Sequence, residues 1–96
     1  MDEEKTGEVK RFIITTEDCT YCTDLKGGLA KELDSGEIKN VDVTERIPSG
    51  LEPIIREFNI DAVPQVMTAR KLPDGGHEIC DERTKTCKII REDIDI

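Results

Sequence analysis

A short apolar strand signal followed at once by a Cys-x-x-Cys motif is the feature that most constrains this chain. Phe12, Ile13 and Ile14 are three consecutive large apolar residues, as in a strand that is buried on both faces. The motif at residues 19–22, CTYC, begins after a polar turn and opens a segment with helical periodicity. The sequence therefore places two cysteines at the junction between a central strand and a helix.

Apolar periodicity downstream predicts further helices and strands. In chain order these are a helix ending near residue 35, a strand over residues 38–43, a helix over residues 51–58, a strand beginning at Val63 and a strand through Ile79. The Pro-Asp-Gly-Gly sequence at residues 73–76 predicts a turn between the last two strands. Residues 81–96 fit either a short terminal helix or an irregular extension.

This order of elements, β-α-β-α-β-β with an optional final α, predicts an α/β fold. A strand, a crossover helix and a second strand form a parallel pair, and the closing hairpin adds an antiparallel pair to the same sheet. We expect a central four-stranded mixed sheet flanked by helices. Residues 1–8 are charged and aperiodic, so they are predicted to form a flexible acidic tail before a single domain over residues 9–96.

Two adjacent glycines interrupt the first predicted helix. Gly27 and Gly28 lie inside the stripe formed by Leu25, Leu29 and Leu33. Each glycine costs about 1 kcal/mol relative to alanine within a helix. Either the helix bends at this point or a neighbouring group packs closely against it.

The charge balance excludes two classes of partner. Fourteen Lys and Arg against twenty-two Asp and Glu give a net charge of −8 over 96 residues. A chain this acidic repels phosphate backbones and anionic lipids, so we expect neither nucleic-acid nor membrane binding. The first residues, MDEEKTGE, are not followed by the apolar stretch of a signal peptide. The sequence therefore predicts a cytoplasmic protein in a reducing compartment.

Four cysteines in a reducing compartment indicate metal binding, redox chemistry or plain burial. Cys19 and Cys22 follow a strand and open a helix within a βαβ pattern, which is the position typical of redox dithiols. A helix N-terminus stabilises a thiolate, the attacking species, at Cys19. Cys22 lies one turn further along and is placed to resolve a mixed disulfide. We therefore predict that Cys19 is the nucleophile and Cys22 the resolving cysteine.

Three segments together carry a family resemblance: the CTYC motif, the Ala-Val-Pro-Gln-Val sequence at residues 62–66 and the Pro-Asp-Gly-Gly-His sequence at residues 73–77. Over residues 9–81 the chain resembles the small phage-type glutaredoxins of the glutaredoxin/thioredoxin-like family. The resemblance implies a thioredoxin fold, a redox-active Cys19–Cys22 disulfide and a cis proline beside it. It also implies a substrate-binding surface formed by Thr20, Tyr21, Val63 and Pro64.

The chain departs from the family pattern at three places. Thr20 replaces the usual proline, and Glu17 and Asp18 replace a basic residue. The family's glycine pair directly before a Cys-Asp sequence has no counterpart, because residues 77–79, His-Glu-Ile, stand before Cys80 and Asp81. The two carboxylates disfavour a thiolate at Cys19 and repel glutathione, which carries net negative charge. The predicted substrates are therefore protein disulfides, with a thiol reductase or glutathione as the reductant that recycles a monomeric protein. No metal or organic cofactor is expected.

The second cysteine pair leaves three interpretations open. Cys80 and Cys87 are buried or incidental residues, a second redox or regulatory disulfide, or half of a zinc site with Cys19 and Cys22 in a non-enzymatic interaction module. The six residues between Cys80 and Cys87 exceed the usual two to four between paired zinc ligands. His77, the single histidine, is predicted to be a surface turn residue.

Overall fold

The computed structural model describes residues 9–94, over which five strands form one sheet with three short α-helices and one 3₁₀ turn at Ser49–Leu51. In chain order the elements are β1 (Val9–Thr15), α1 (Thr20–Gly28), α2 (Ala30–Ser35), β2 (Ile38–Asp42), α3 (Glu52–Phe58), β3 (Gln65–Lys71), β4 (His77–Asp81) and β5 (Thr86–Ile90). The acidic tail predicted for residues 1–8 lies outside the described residues. Within residues 9–94, no helix has both the length and the apolar character needed to cross a membrane.

The sheet has the strand order β2-β1-β3-β4-β5. Strands β1 and β2 are parallel, whereas the β1–β3, β3–β4 and β4–β5 pairs are antiparallel. The predicted parallel pair and closing hairpin are therefore both present. Phe12, Ile13 and Ile14 are fully buried in β1, because this strand has neighbours on both sides and is covered on both faces.

The expected four-stranded thioredoxin fold flanked by helices is wrong. Residues 86–90 form a fifth strand, where the sequence indicated a terminal helix or an irregular extension. The Asp81 carboxylate accepts the backbone N–H groups of Arg83 and Thr84, and Lys85 adopts a positive φ of 62°, so the chain reverses into a hairpin. The helices are also short, at nine, six and seven residues, and cover less of the sheet than expected.

The main hydrophobic core lies between one face of the sheet and the segment around α3. Leu51 and Ile54 reach it from that segment, as the i, i+3 spacing predicts, and Ile90 of β5 closes its edge. The other members come from β1, β3 and β4: Phe12, Ile14, Met67, Ala69 and Ile79.

The opposite face of the sheet is covered around β1 by the segment that contains the first two helices. Ile13 alternates with Phe12 and Ile14, so it points to this second face, and Cys22 of α1 is also fully buried. The helical segment breaks at Leu29, whose φ of −113° and ψ of 21° are not helical. A Cβ atom on Gly27 or Gly28 would meet nothing within 4 Å, so the glycines mark a bend rather than a close contact.

Candidate functional site

A disulfide joins Cys19 to Cys22 at the start of α1, with 5.1 Å between their Cα atoms. Strand β1 ends at Thr15, and Cys19 is the N-cap residue of the helix, with extended backbone angles. Its Sγ accepts a hydrogen bond from the Cys22 N–H group at 3.0 Å. The sulfur therefore occupies the place that a capping oxygen takes in other helices, facing the free N–H groups of the first turn.

The two sulfur-bearing residues differ in their access to solvent. Cys22, within α1, is fully buried, whereas Cys19 is only half-buried. A disulfide or thiol in solution can therefore approach Cys19 but not Cys22. This asymmetry is what the assignment of a nucleophile and a resolving cysteine requires.

The segment before β3 lies against the same sulfur. The carbonyl oxygen of Val63 is 3.9 Å from Cys19 Sγ, and the peptide bond between Val63 and Pro64 is cis. Tyr21 lies nearby with 75% of its surface exposed. The structure thus brings together Cys19, Tyr21, Val63 and Pro64, whereas Thr20 is exposed and does not line the adjoining cleft.

An open cleft of about 730 Å³ is lined by Tyr21, Val63 and Pro64 but by neither cysteine, and it is linked to the disulfide through the contact of Val63 with Cys19. One wall comes from the helical segment at residues 21–29 and the other from the chain leading into β3. Sequence reasoning assigned Tyr21, Val63 and Pro64 to this region but missed the remaining lining residues: Arg11, Leu25, Leu29, Ala62, Gln65, Val66, Glu82 and Arg83. Leu25 and Leu29 were visible as an apolar helical stripe, which is also what a core-facing helix shows.

A partly buried ion pair between Arg11 and Glu82 adds two charges to this mainly apolar cleft. Arg11 donates two hydrogen bonds to the Glu82 carboxylate, at 2.8 and 3.0 Å, and the pair is partly buried. The hydrogen bond to Glu82 raises the pKa of Arg11 above its ordinary value, so the guanidinium stays charged. Among residues 9–94, Arg83 makes no ion pair and adds an exposed positive charge to the cleft. No local sequence signal links Arg11 to Glu82, which lies 71 positions away.

The carboxylates next to Cys19 lie on the surface. Glu17 and Asp18 are both exposed, and the Glu17 N–H group is held by the Thr44 hydroxyl at 2.7 Å. Since water and salt surround both carboxylates, their repulsion of a thiolate at Cys19 is screened.

The second cysteine pair is also joined by a disulfide. Cys80 of β4 and Cys87 of β5 are register partners, with 4.1 Å between their Cα atoms. The prediction that His77 lies in a surface turn is wrong, because it begins β4 opposite Lys71 and is half-buried. Its Nδ1 atom is buried and has no hydrogen-bond partner among the described residues.

The structure does not gather the four cysteines at one site. Within residues 9–94, the group of potential metal ligands comprises Glu78, Cys80 and Cys87, whose ligand atoms lie within 4.8 Å of one another. Cys19 and Cys22 are not members of this group.

No protein-family model, curated protein or solved structure matches the chain. Function is therefore inferred from the geometry of the two cysteine pairs and the cleft.

Proposed function

We propose that the chain is a thiol–disulfide oxidoreductase that reduces protein disulfides through Cys19 and Cys22. The observation that carries the proposal is the contrast between an accessible sulfur at a helix N-terminus and a buried sulfur one turn away. The motif resemblance to glutaredoxins and the position of Val63 and Pro64 against Cys19 support the same chemistry.

The reaction takes two steps of thiol–disulfide exchange. The Cys19 thiolate attacks one sulfur of the substrate disulfide, so that a mixed disulfide forms and the other substrate sulfur leaves as a thiolate that takes up a proton. The Cys22 thiolate then attacks Cys19 Sγ, which forms the Cys19–Cys22 disulfide and releases the second substrate thiol. The substrate gains two electrons and two protons, and the enzyme loses them.

The start of α1 supplies the electrostatic assistance. The N–H group of Cys22 points at Cys19 Sγ, and the helix dipole adds positive potential at the same place. Both effects favour negative charge on Cys19, when it attacks and when it leaves. The carboxylates of Glu17 and Asp18 oppose this effect only weakly, because they are exposed and solvent and salt screen their charge.

The cleft favours a protein substrate over glutathione. Its walls carry apolar side chains from α1 and from residues 62–66, which suit the side chains that flank a disulfide in an extended polypeptide. The net charge of −8 repels glutathione, although glutathione or a thiol reductase remains our candidate for recycling the oxidised enzyme. We place this activity in a reducing cytosol, where a steady supply of electrons is available.

Trapping of the intermediate tests the proposal. The reduced Cys22→Ser variant is expected to accumulate a mixed disulfide with a disulfide-containing substrate such as insulin, because the resolving step is lost. Cys19→Ser is the matched control and is expected to form no adduct at this site. Mass spectrometry of the trapped species identifies the bonded cysteine. An adduct on Cys22, or equal adducts on both residues, contradicts the assignment.

Turnover tests the substrate preference. Insulin reduction with a dithiol as the electron source is measured beside a glutathione-linked assay on a small disulfide. We expect activity in the first assay and little in the second. Activity in the glutathione-linked assay alone would reverse the substrate preference, and a folded protein inactive in both would contradict the proposed function.

A further inference from the structure

The β4–β5 hairpin carries three potential metal ligands on one face. Cys80 and Cys87 are directly opposite each other, and Glu78 precedes Cys80 by two residues in β4. Because side chains alternate along a strand, Glu78 projects from the same face as Cys80. The carboxylate oxygen and both sulfurs lie within 4.8 Å of one another.

The disulfide in this group is open to reduction. Cys87 is exposed on β5, an edge strand of the sheet, so a small thiol can reach its sulfur. Two molecules of a glutathione-class thiol convert the Cys80–Cys87 disulfide into two thiols and are themselves joined as a disulfide. Disulfides of this kind are rare in a reducing cytosol, so the reduced hairpin is the expected state if the proposed location holds.

We propose that the reduced β4–β5 hairpin binds one Zn²⁺ ion through Cys80 Sγ, Cys87 Sγ and a carboxylate oxygen of Glu78. Binding releases the two thiol protons, since zinc coordinates thiolates. Thiolate and carboxylate ligands lie about 2.0–2.3 Å from Zn²⁺, so two ligands of one ion are at most about 4.6 Å apart. The Glu78 carboxylate is already within 4.8 Å of both sulfurs. The sulfurs themselves are bonded to each other in the disulfide, so after reduction they must move apart to about 3.8 Å to bind one ion tetrahedrally, which rotation of the two cysteine side chains allows.

Glu78 distinguishes this group from an ordinary cross-strand disulfide. Arg70, opposite Glu78 in β3, donates to its Oε1 atom and leaves Oε2 for a metal. Such a contact holds a ligating carboxylate in place, as outer partners do in established metal sites. Three protein ligands leave the fourth tetrahedral position to water. The thiolate pair selects a borderline-soft ion such as Zn²⁺ over Mg²⁺ or Ca²⁺.

Zinc titration of a chain without the other dithiol tests the site. The Cys19→Ser/Cys22→Ser variant is reduced with a phosphine and titrated with Zn²⁺ against a chromophoric chelator under argon. We expect one Zn²⁺ per chain after reduction and none before it. Co²⁺ in place of Zn²⁺ is expected to show thiolate-to-metal charge-transfer absorption, which reports sulfur ligation directly.

Two further variants assign the ligands. Glu78→Gln removes a direct ligand and is expected to weaken Zn²⁺ binding by at least about tenfold, the smallest loss that is usual even for outer partners of a ligand. Glu82→Gln, which alters another half-buried carboxylate paired with an arginine, is the matched control and is expected to leave the affinity unchanged. An unchanged affinity for Glu78→Gln overturns the three-ligand site.

Absence of stoichiometric binding by the reduced double variant overturns the proposal, as does binding that survives replacement of Cys80 and Cys87 by serine. If the double variant does not fold, the wild-type chain answers the same question. In the reduced wild-type chain, replacing Cys80 and Cys87 by serine must lower the bound Zn²⁺ by one equivalent per chain. The result is independent of disulfide reductase activity, because the dithiol at Cys19 and Cys22 takes no part.

Discussion

Tyr21 is an aromatic side chain that the fold leaves in solvent. It is the single tyrosine of a chain with only two phenylalanines, yet three-quarters of its surface is exposed. Phe12, by contrast, is fully buried in the core. An exposed ring contributes little to the fold, and because it lines the cleft we expect it to contact the substrate of the proposed reaction.

Replacement of Tyr21 tests that role. Tyr21→Ala is expected to raise KM for a protein disulfide several-fold while changing the free energy of unfolding by no more than about 0.5 kcal/mol, as for other surface substitutions. Tyr21→Phe keeps the ring and is expected to have the KM of the wild type. Steady-state kinetics and urea denaturation supply the two measurements. A large loss of stability in Tyr21→Ala would instead make the ring structural.

Asp74 makes the turn between β3 and β4 sensitive to acid. The Gly76 N–H group, 3.0 Å from the carboxylate, and the Arg91 side chain both lower the pKa of Asp74 below its ordinary value. The folded state therefore gains stability that is fully present above the unfolded pKa of about 4. That stability is lost as the pH falls through the lower, folded value.

We expect Asp74→Asn to reduce the dependence of the free energy of unfolding on pH in the acidic range. The urea midpoint of the wild type should fall on acidification from pH 6 to pH 3 by more than that of the variant, because the variant has no carboxylate to protonate. Asp34→Asn, at an exposed carboxylate of α2 that makes no side-chain hydrogen bond within residues 9–94, is the control. Parallel profiles for the wild type and Asp74→Asn would contradict the assignment.

At the scale of elements, α1 contains a glycine, Gly27, that lowers its helical stability and that alanine can replace. Gly27 is helical and a Cβ atom there would meet nothing within 4 Å. Gly27→Ala is therefore expected to raise the free energy of unfolding by about 0.5–1 kcal/mol. Gly75 has a φ of +95°, so Gly75→Ala is expected to lower it. Chemical denaturation measures both, and a destabilised Gly27→Ala would show that the bend needs glycine.

The β4–β5 hairpin is joined by its cross-strand disulfide, whose cysteines are seven positions apart. Replacing Cys80 and Cys87 by serine is expected to lower the free energy of unfolding by about 2 kcal/mol, from loop entropy alone. Disulfide reductase activity should remain within about threefold, a change of less than about 0.7 kcal/mol in the barrier. A much larger loss of activity in a folded variant would make this pair part of the reaction.

At the scale of the whole molecule, the sequence was informative where a signal is local. The FII run, the helical stripe at residues 51–58 and the turn at residues 73–76 each depend on neighbours within a few positions, and each was predicted correctly. Strand β5 was missed because its sequence, TCKII, shows no sustained alternation of apolar and polar residues, and only Ile90 is buried. Because the sequence did not indicate this fifth strand, both the predicted number of strands and the predicted fold were wrong.

The candidate site shows the same limit. The order strand, CTYC, helix located the dithiol, because a helix N-terminus is visible in the sequence. The charged residues of the cleft could not be predicted, since Arg11, Glu82 and Arg83 come from distant parts of the chain. Their proximity follows from strand order, which brings the β4–β5 turn to the end of β3 that adjoins the dithiol.

Strand order also has a kinetic consequence. Strands β3, β4 and β5 follow one another through short connections, whereas pairing of Ile14 with Gln65 in β1 and β3 closes a loop of about 50 residues. Because closing a long loop costs more entropy, we expect the three-stranded meander to form first and β1 to insert afterwards. Pulse-labelled hydrogen exchange during refolding should protect the Ile79 amide before the Ile14 amide; the reverse order would contradict this sequence of events. The junction of β1 with α1 is then completed late, so Cys80 and Cys87 meet during folding before Cys19 reaches its place beside Val63.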